Sequence, residues 1–205
     1  MRPSPAIGSL GLRAKTARAV VVALAGSARA PEPVTKGEIL LATPGNAVLF
    51  QPYHRVMDLP WHRAVAAAAS AEREIAEIAI AALRQHLAAL QAAGVAIAAV
   101  GVVGAPERDL AAIGSPHIRA HAAEGVLFRR VLETAAAANR VRCVRFPERD
   151  LEGFASSRLK IPPAAIKTGL NRFGEWLGRP WRADEKAAAI AAWLAFAEIA
   201  ELSAA

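Results

Sequence analysis

Residues 95–103 read Val-Ala-Ile-Ala-Ala-Val-Gly-Val-Val, and this stretch decides the fold class. The odd-numbered and the even-numbered residues are both apolar, which is typical of a strand that is buried on both faces of a sheet. Gly94 precedes the stretch, and Gly104, Ala105 and Pro106 end it. Because helices must cover both faces of such a strand, the stretch predicts an α/β protein.

Helical patterns flank this strand on both sides. Residues 61–93 repeat apolar side chains at spacings of three and four, and Gly94 is a typical helix stop. Ser115 and Pro116 then begin a helix that runs to about residue 139, because serine favours the N-cap and proline the first turn. A half-buried or edge strand is predicted over 141–146, followed by a polar connection over 147–163 and two helices over 164–177 and 183–202.

The first sixty residues predict an antiparallel meander. Turn residues separate three short apolar runs at 19–24, 38–42 and 47–53, which we interpret as strands. Residues 1–18 contain glycine and proline without periodicity and predict a basic, flexible tail. The expected organisation is therefore this tail followed by a single α/β domain with a mixed sheet over residues 19–202.

The N-terminal basic residues and the apolar run after them could also be a secretory signal peptide. The run is short for that purpose, and Pro31 follows the possible cleavage site directly. We therefore favour the strand, and with it a cytoplasmic location.

Composition excludes several classes of protein. The chain has 205 residues, is 54% hydrophobic and has one cysteine, Cys143. No run of 18 apolar residues occurs, which excludes a membrane-spanning helix, and a lone cysteine excludes a disulfide framework or a cysteine-based zinc cluster. The net charge of +7 suggests nucleic acid as a partner, although residues 1–36 account for +5 of it.

A second basic stretch, residues 140–186, holds eleven cations against six acids, together with Trp176 and Trp181. Arginine interleaved with aromatic residues can bind phosphate and stack on bases. The competing interpretation is a solvated surface on which the two tryptophans pack the last helices. The candidate nucleic-acid-binding residues are Arg158, Lys160, Lys167, Arg172, Arg179 and Arg182.

Two histidines form the sharpest local pattern. His117 and His121 are four residues apart on the second long helix, and Glu124 continues the same face. Two imidazoles and a carboxylate in this arrangement could bind a transition metal. Ile118 stands where a metalloprotease helix has glutamate, which argues against that class. The alternative is that the histidines border the core, since Phe128 and Val131 extend the stripe.

The order of elements resembles the ribonuclease H-like fold, and residues 19–197 are most similar to RuvC-type Holliday-junction resolvases. The similarity rests on the pattern around Gly125, the run from Leu177 to Pro180, and the Ala-rich stretch after Asp184. The family implies clustered carboxylates that hold two divalent cations, Mg²⁺ or Mn²⁺, for phosphodiester cleavage. It implies acids on the first strand, at the end of the fourth strand and at the start of the last helix.

This sequence departs from that pattern. The position matched to the first-strand acid is Leu24, the fourth strand ends without an acid, and Glu107 and Asp109 follow only in the next loop. Asp184 and Glu185 begin the last helix and are the candidate catalytic residues. The expected function is therefore a degenerate, non-catalytic domain that binds nucleic acid. The alternatives are a metal-dependent nuclease whose site has moved to Asp184, Glu185, His117 and His121, or a protein-interaction module that self-associates, such as a homodimer.

Overall fold

A computed structural model describes residues 4–202. It contains five strands and six α-helices, with a short 3-10 turn at His54–Val56 between α1 and α2. The bounds are β1 Ala6–Lys15, β2 Arg18–Gly26, β3 Pro31–Leu40, α1 Ala47–Phe50, α2 Trp61–Ala92, β4 Val95–Val103, α3 Pro116–Ala138, β5 Arg142–Phe146, α4 Leu151–Leu159, α5 Pro163–Leu177 and α6 Ala183–Leu202.

The five strands form one mixed sheet in the order β3-β2-β1-β4-β5. β1, β2 and β3 are antiparallel neighbours, whereas β4 pairs in parallel with both β1 and β5. The predicted α/β class is therefore confirmed, with an antiparallel meander joined to two strands in β-α-β order. The strands predicted at 95–103 and 141–146 are β4 and β5, and the long helices on either side of β4 are α2 and α3.

The flexible tail predicted over residues 1–18 is wrong for most of its length. Residues 6–15 form β1, the central strand of the sheet; residues 1–3 lie outside the described part. The stretch does alternate, with Leu10, Leu12 and Ala14 buried on one face. The alternation gives a weak signal in the sequence because the other face carries Ser9, Gly11 and Arg13, none of which has an apolar side chain.

Three other predictions differ from the structure. The strand predicted over 47–53 is instead the short helix α1, because the Asn46 side chain accepts hydrogen bonds from the backbone N–H groups of Val48 and Leu49. The strand predicted over 38–42 is the end of β3, which begins at Pro31. The polar connection over 147–163 contains the helix α4.

Helices cover both faces of the sheet. α2 and α3 pack on the face that carries Leu10, Leu12, Val100 and Val102. α4, α5 and α6 pack on the face that carries Val20, Val22, Leu24 and Val103. None of the described helices combines the length and the apolar character that crossing a bilayer requires.

Candidate functional site

Helix α6 lies along β1 in a regular register. The hydroxyl of Ser9, on β1, donates a buried hydrogen bond of 2.7 Å to the carbonyl of Ala192 on α6. Two residues further along β1, Gly11 faces Ala188, and two further still Arg13 reaches Asp184. Four helical residues rise about 6 Å and two strand residues about 6.6 Å, so the two elements keep this register over all three pairs.

The contact between α6 and the sheet is unusually close. A Cβ atom at Gly11 would lie 1.7 Å from the carbonyl oxygen of Ala188, and one at Gly101 would lie 2.3 Å from that of Ala191. Gly11 and Gly101 are register partners on β1 and β4. Only glycine on the strands and alanine on the helix permit this approach.

The strands at this contact carry no carboxylate. β1, β2, β4 and β5 contain neither aspartate nor glutamate, and the two acids of the sheet, Glu32 and Glu38, are exposed on the edge strand β3. The position that we matched to the family's first-strand acid, Leu24, belongs to β2, so that correspondence is wrong. β1 nevertheless offers no acid in its place. The residues at this contact therefore do not fit a pair of divalent cations, which need several carboxylate ligands.

A cleft of 640 Å³ opens where β1 and β4 end and α6 begins. The Arg13 guanidinium lies between two carboxylates, since it pairs with Glu148 and, at 3.5 Å, with Asp184. Lys15 approaches Asp184 to 3.2 Å. Only 13% of the Arg13 side chain is exposed, so its charge is screened less than that of a surface pair. Arg13 and Lys15 thus pair with Glu148 and Asp184, two of the four carboxylates that line this cleft; Asp150 and Glu152 are the other two.

The two predicted catalytic acids have other partners in the structure. Asp184 forms the ion pairs with Arg13 and Lys15. Glu185 accepts a 2.7 Å hydrogen bond from the backbone N–H of Arg182, which is the reciprocal half of a capping box at the start of α6. Both contacts stabilise the start of α6 without requiring a metal.

The six predicted nucleic-acid-binding residues do not form one surface. Arg158 pairs with Glu198, and Arg182 lines the cleft at the start of α6. Lys167 is five residues before Arg172, which places the two on different sides of α5. Lys160 is exposed at the end of α4, and Arg179 is exposed just after α5.

A smaller group does come together around Trp176, which is 64% exposed. Arg172 lies one turn before Trp176 on α5 and donates to the carbonyl of Pro31 at 3.2 Å. Lys36 of β3 donates to the carbonyls of Gly178 and Pro180, which flank Arg179. We call Trp176, Arg172, Arg179 and Lys36 the Trp176 surface.

The predicted metal ligands lie together on the other side of the sheet, with a partner that the sequence did not suggest. The Nε2 atoms of His117 and His121 are 3.2 Å apart, and the His54 ring is 4.3 Å from the His121 ring and 5.1 Å from the His117 ring. Glu124 accepts hydrogen bonds from the Nδ1 and the backbone N–H of His54, at 2.9 and 3.1 Å.

The relocated nuclease site that the sequence suggested is not assembled. His117, His121 and Glu124 lie on the face covered by α2 and α3, whereas Asp184 and Glu185 begin α6 on the opposite face. The histidines also do not merely border the core, because His117 and His121 are exposed.

Sequence analysis missed two residues that matter at these sites. Arg13 was assigned to the tail because β1 was not recognised. His54 precedes His117 by more than sixty residues, so no spacing could connect them; a histidine in a short loop before a long helix gives no signal without the fold.

Comparison with known proteins identifies the fold of this chain. No family model and no curated protein matches the sequence. The Thermus thermophilus RuvC structure is similar, with a TM-score of 0.53 and 9% sequence identity over 95% of this chain and 96% of that one. T. thermophilus RuvC in complex with Holliday junction substrate gives a TM-score of 0.52 and 10% identity with the same coverage. The chain therefore has the ribonuclease H-like fold of RuvC.

Proposed function

We propose that this protein is a non-catalytic, RuvC-like domain that binds nucleic acid. The observation that carries the proposal is the contact between β1, β4 and α6. There the strands have no carboxylate, Gly11 and Gly101 let the helix close onto the sheet, and Arg13 neutralises the nearest acids. A fold that has lost its metal ligands but is still assembled is suited to binding rather than cleavage.

Charge as well as ligand number supports the proposed absence of catalysis. A two-metal site needs carboxylates that are free to ligate cations about 4 Å apart. Asp184 already faces the two cations Arg13 and Lys15, at 3.5 and 3.2 Å. A divalent ion bound to Asp184 would be repelled by both side chains, so this carboxylate is poorly placed to hold the metals that the fold family uses.

Binding of nucleic acid is supported by the Trp176 surface. An exposed indole can stack on a base, and the arginine and lysine side chains around it can neutralise phosphates. The net charge of +7 adds long-range attraction for a polyanion. RuvC, which has the same fold, has been solved with a Holliday junction substrate.

The test measures binding and cleavage together. Labelled single-stranded DNA, duplex DNA, a four-way junction and single-stranded RNA are titrated with the full chain at 50 and 200 mM salt, with Mg²⁺ or Mn²⁺ present. For three phosphate contacts to a single strand, we expect the affinity to fall about 20-fold between the two salt concentrations. We expect no cleavage product.

Variants locate the binding surface. Trp176→Ala should weaken single-strand binding by the stacking contribution of about 1–3 kcal/mol. Arg172→Gln combined with Arg179→Gln should weaken binding to every substrate and lower the salt slope by about one to two. Arg73→Gln is the matched control, because Arg73 is exposed on α2, on the other side of the sheet.

Two results would overturn the proposal in separable ways. Cleavage that is lost in Asp184→Asn would mean that the cleft at α6 binds a metal after all. Failure to bind any of the substrates at 50 mM salt would remove nucleic acid as the partner. An equal loss in Arg73→Gln would mean that the Trp176 surface is not the binding site.

A further inference from the structure

We propose that His54, His117 and His121 form a three-histidine site for a transition metal, with Zn²⁺ as the best match. The site lies between the 3-10 turn before α2 and the first turns of α3. It is on the face of the sheet opposite to the cleft at α6, and it uses none of the residues of that cleft. It is therefore independent of the proposed nucleic-acid binding.

The three imidazoles are brought together by two separate elements. One ligand nitrogen from each histidine lies within 4.8 Å of the other two. Two nitrogens bound to zinc at 2.0–2.1 Å in tetrahedral geometry are separated by about 3.3 Å. The His117–His121 separation of 3.2 Å matches this value. Only a small movement of His54 would complete the other two edges, which it shares with His117 and His121.

Glu124 sets the orientation of His54. Its carboxylate is 3% exposed and lies 2.9 Å from His54 Nδ1. Because a carboxylate accepts hydrogen bonds, Nδ1 carries the proton and donates a hydrogen bond to Glu124. The lone pair is then on Nε2, the nitrogen on the far side of the ring. A carboxylate that holds a histidine in this way is the usual outer partner of a metal-bound imidazole.

The His54 Nε2 atom provides an independent argument for a ligand. It is buried and has no hydrogen-bond partner among the described residues. A buried nitrogen without a partner costs free energy, and a metal ion would satisfy it. The competing arrangement, a simple hydrogen bond between His117 and His121, leaves this atom without a partner.

The ligand set indicates the kind of metal and the kind of site. Three neutral imidazoles suit zinc, copper or nickel and disfavour Mg²⁺ and Ca²⁺, which prefer oxygen ligands. Because His117 and His121 are exposed, the fourth position of a tetrahedral ion would be open to solvent. The ion would also tie the segment around His54 to α3.

Metal binding is tested on the full chain after removal of metal with a chelator. We expect one equivalent of Zn²⁺ by titration against a chromophoric zinc indicator, and no binding of Mg²⁺. A free zinc concentration one hundred times the dissociation constant should raise the melting temperature by about 5–10 °C. Co²⁺ should bind in place of zinc and give the visible absorption of a four-coordinate ion.

Exposed ligands allow the site to be removed without disturbing the core. His117→Ala and His121→Ala should each lower zinc affinity at least tenfold and reduce the thermal shift by about half or more, with the metal-free melting temperature unchanged. Glu124→Gln should weaken zinc binding 10- to 100-fold by releasing the His54 ring. His62→Ala, an exposed histidine on the first turn of α2, is the matched control.

The proposal fails if the wild type takes up less than half an equivalent of zinc at micromolar concentration. It also fails if His117→Ala binds zinc as the wild type does. An equal loss in His62→Ala would mean that the metal binds surface histidines without a defined site.

Discussion

Replacement of Gly11 by alanine tests the closeness of α6 to the sheet, on which the non-catalytic assignment depends. The added Cβ would lie 1.7 Å from the Ala188 carbonyl oxygen, 2.5 Å from the Ala192 backbone nitrogen and 2.8 Å from the Ala188 carbonyl carbon. All three atoms are backbone, so no side-chain rotation can relieve the clash. The helix must move away from β1 by about 1.7 Å to restore an ordinary van der Waals contact of about 3.4 Å.

The cost of this movement can be estimated from the packing of α6. Residues 188–196 are all buried against the sheet and the neighbouring helices. A gap of 0.5–1 Å already removes a quarter to a half of the dispersion attraction across a contact. Overpacking in a core usually costs 1–3 kcal/mol, and because the whole helix must shift here we expect about 3 kcal/mol or more.

Urea unfolding followed by circular dichroism measures the loss. With an m-value of about 2 kcal/mol/M, the midpoint should fall by about 1.5 M. Gly37→Ala is the control, since Gly37 lies on the edge strand β3 and a Cβ there meets only Val21 Cγ2 at 3.9 Å. That change should be neutral or stabilise by up to about 1 kcal/mol. If Gly11→Ala stays within 1 kcal/mol of the wild type, α6 does not lie this close to β1.

Two ionisable groups give further predictions. Hydrogen bonds from Arg130 and Arg129 lower the pKa of Glu107 to about 2, from 4.5, so its stabilising contribution is present above pH 4.5 and is lost as the pH falls through about 2. Glu107→Gln should therefore be less stable than the wild type at pH 7 and lose less stability than the wild type between pH 5 and 2 in urea unfolding. Glu77→Gln, which removes an exposed carboxylate of α2, is the control. Burial is the main cause that raises the pKa of the Cys143 thiol to about 12. Alkylation by iodoacetamide at pH 8 should therefore be slow in the native protein and fast in urea. Rapid alkylation of the native protein would contradict this burial.

The elements that could be predicted from sequence are those with a long or unmixed apolar pattern. β4 is apolar throughout, and α2 repeats its apolar side chains over 32 residues, so both were placed correctly. Ser115 marked the start of α3, where its hydroxyl accepts a hydrogen bond from the backbone N–H of Ile118. These signals are local, and no tertiary contact overrides them.

The elements that were missed depend on tertiary contacts. On β1, Leu10 and Leu12 lie on one face and Ser9, Gly11 and Arg13 on the other. The second face has no apolar side chain, so the sequence does not indicate that α6 covers it. Because β1 is not recognised from the sequence, β2 is counted as the first strand, and Leu24 of β2 is matched to the family's first-strand acid. His117, His121 and Glu124 were found together because they share one helix face, whereas His54 joins them only through the fold.

The absence of carboxylates from β1 and β4 and the close approach of α6 depend on each other. Ser9 is fully buried and donates to Ala192, and Gly11 has no room for a side chain. An aspartate at either position would place a charge, with no metal or cation beside it, under a helix that excludes water, which costs several kcal/mol. Such a charge could be accommodated only if α6 moved outward, and the glycines and alanines that now seal the contact would then leave a gap. Restoring single acids should therefore destabilise the protein without creating a nuclease, because the metal site and the helix position would have to change together.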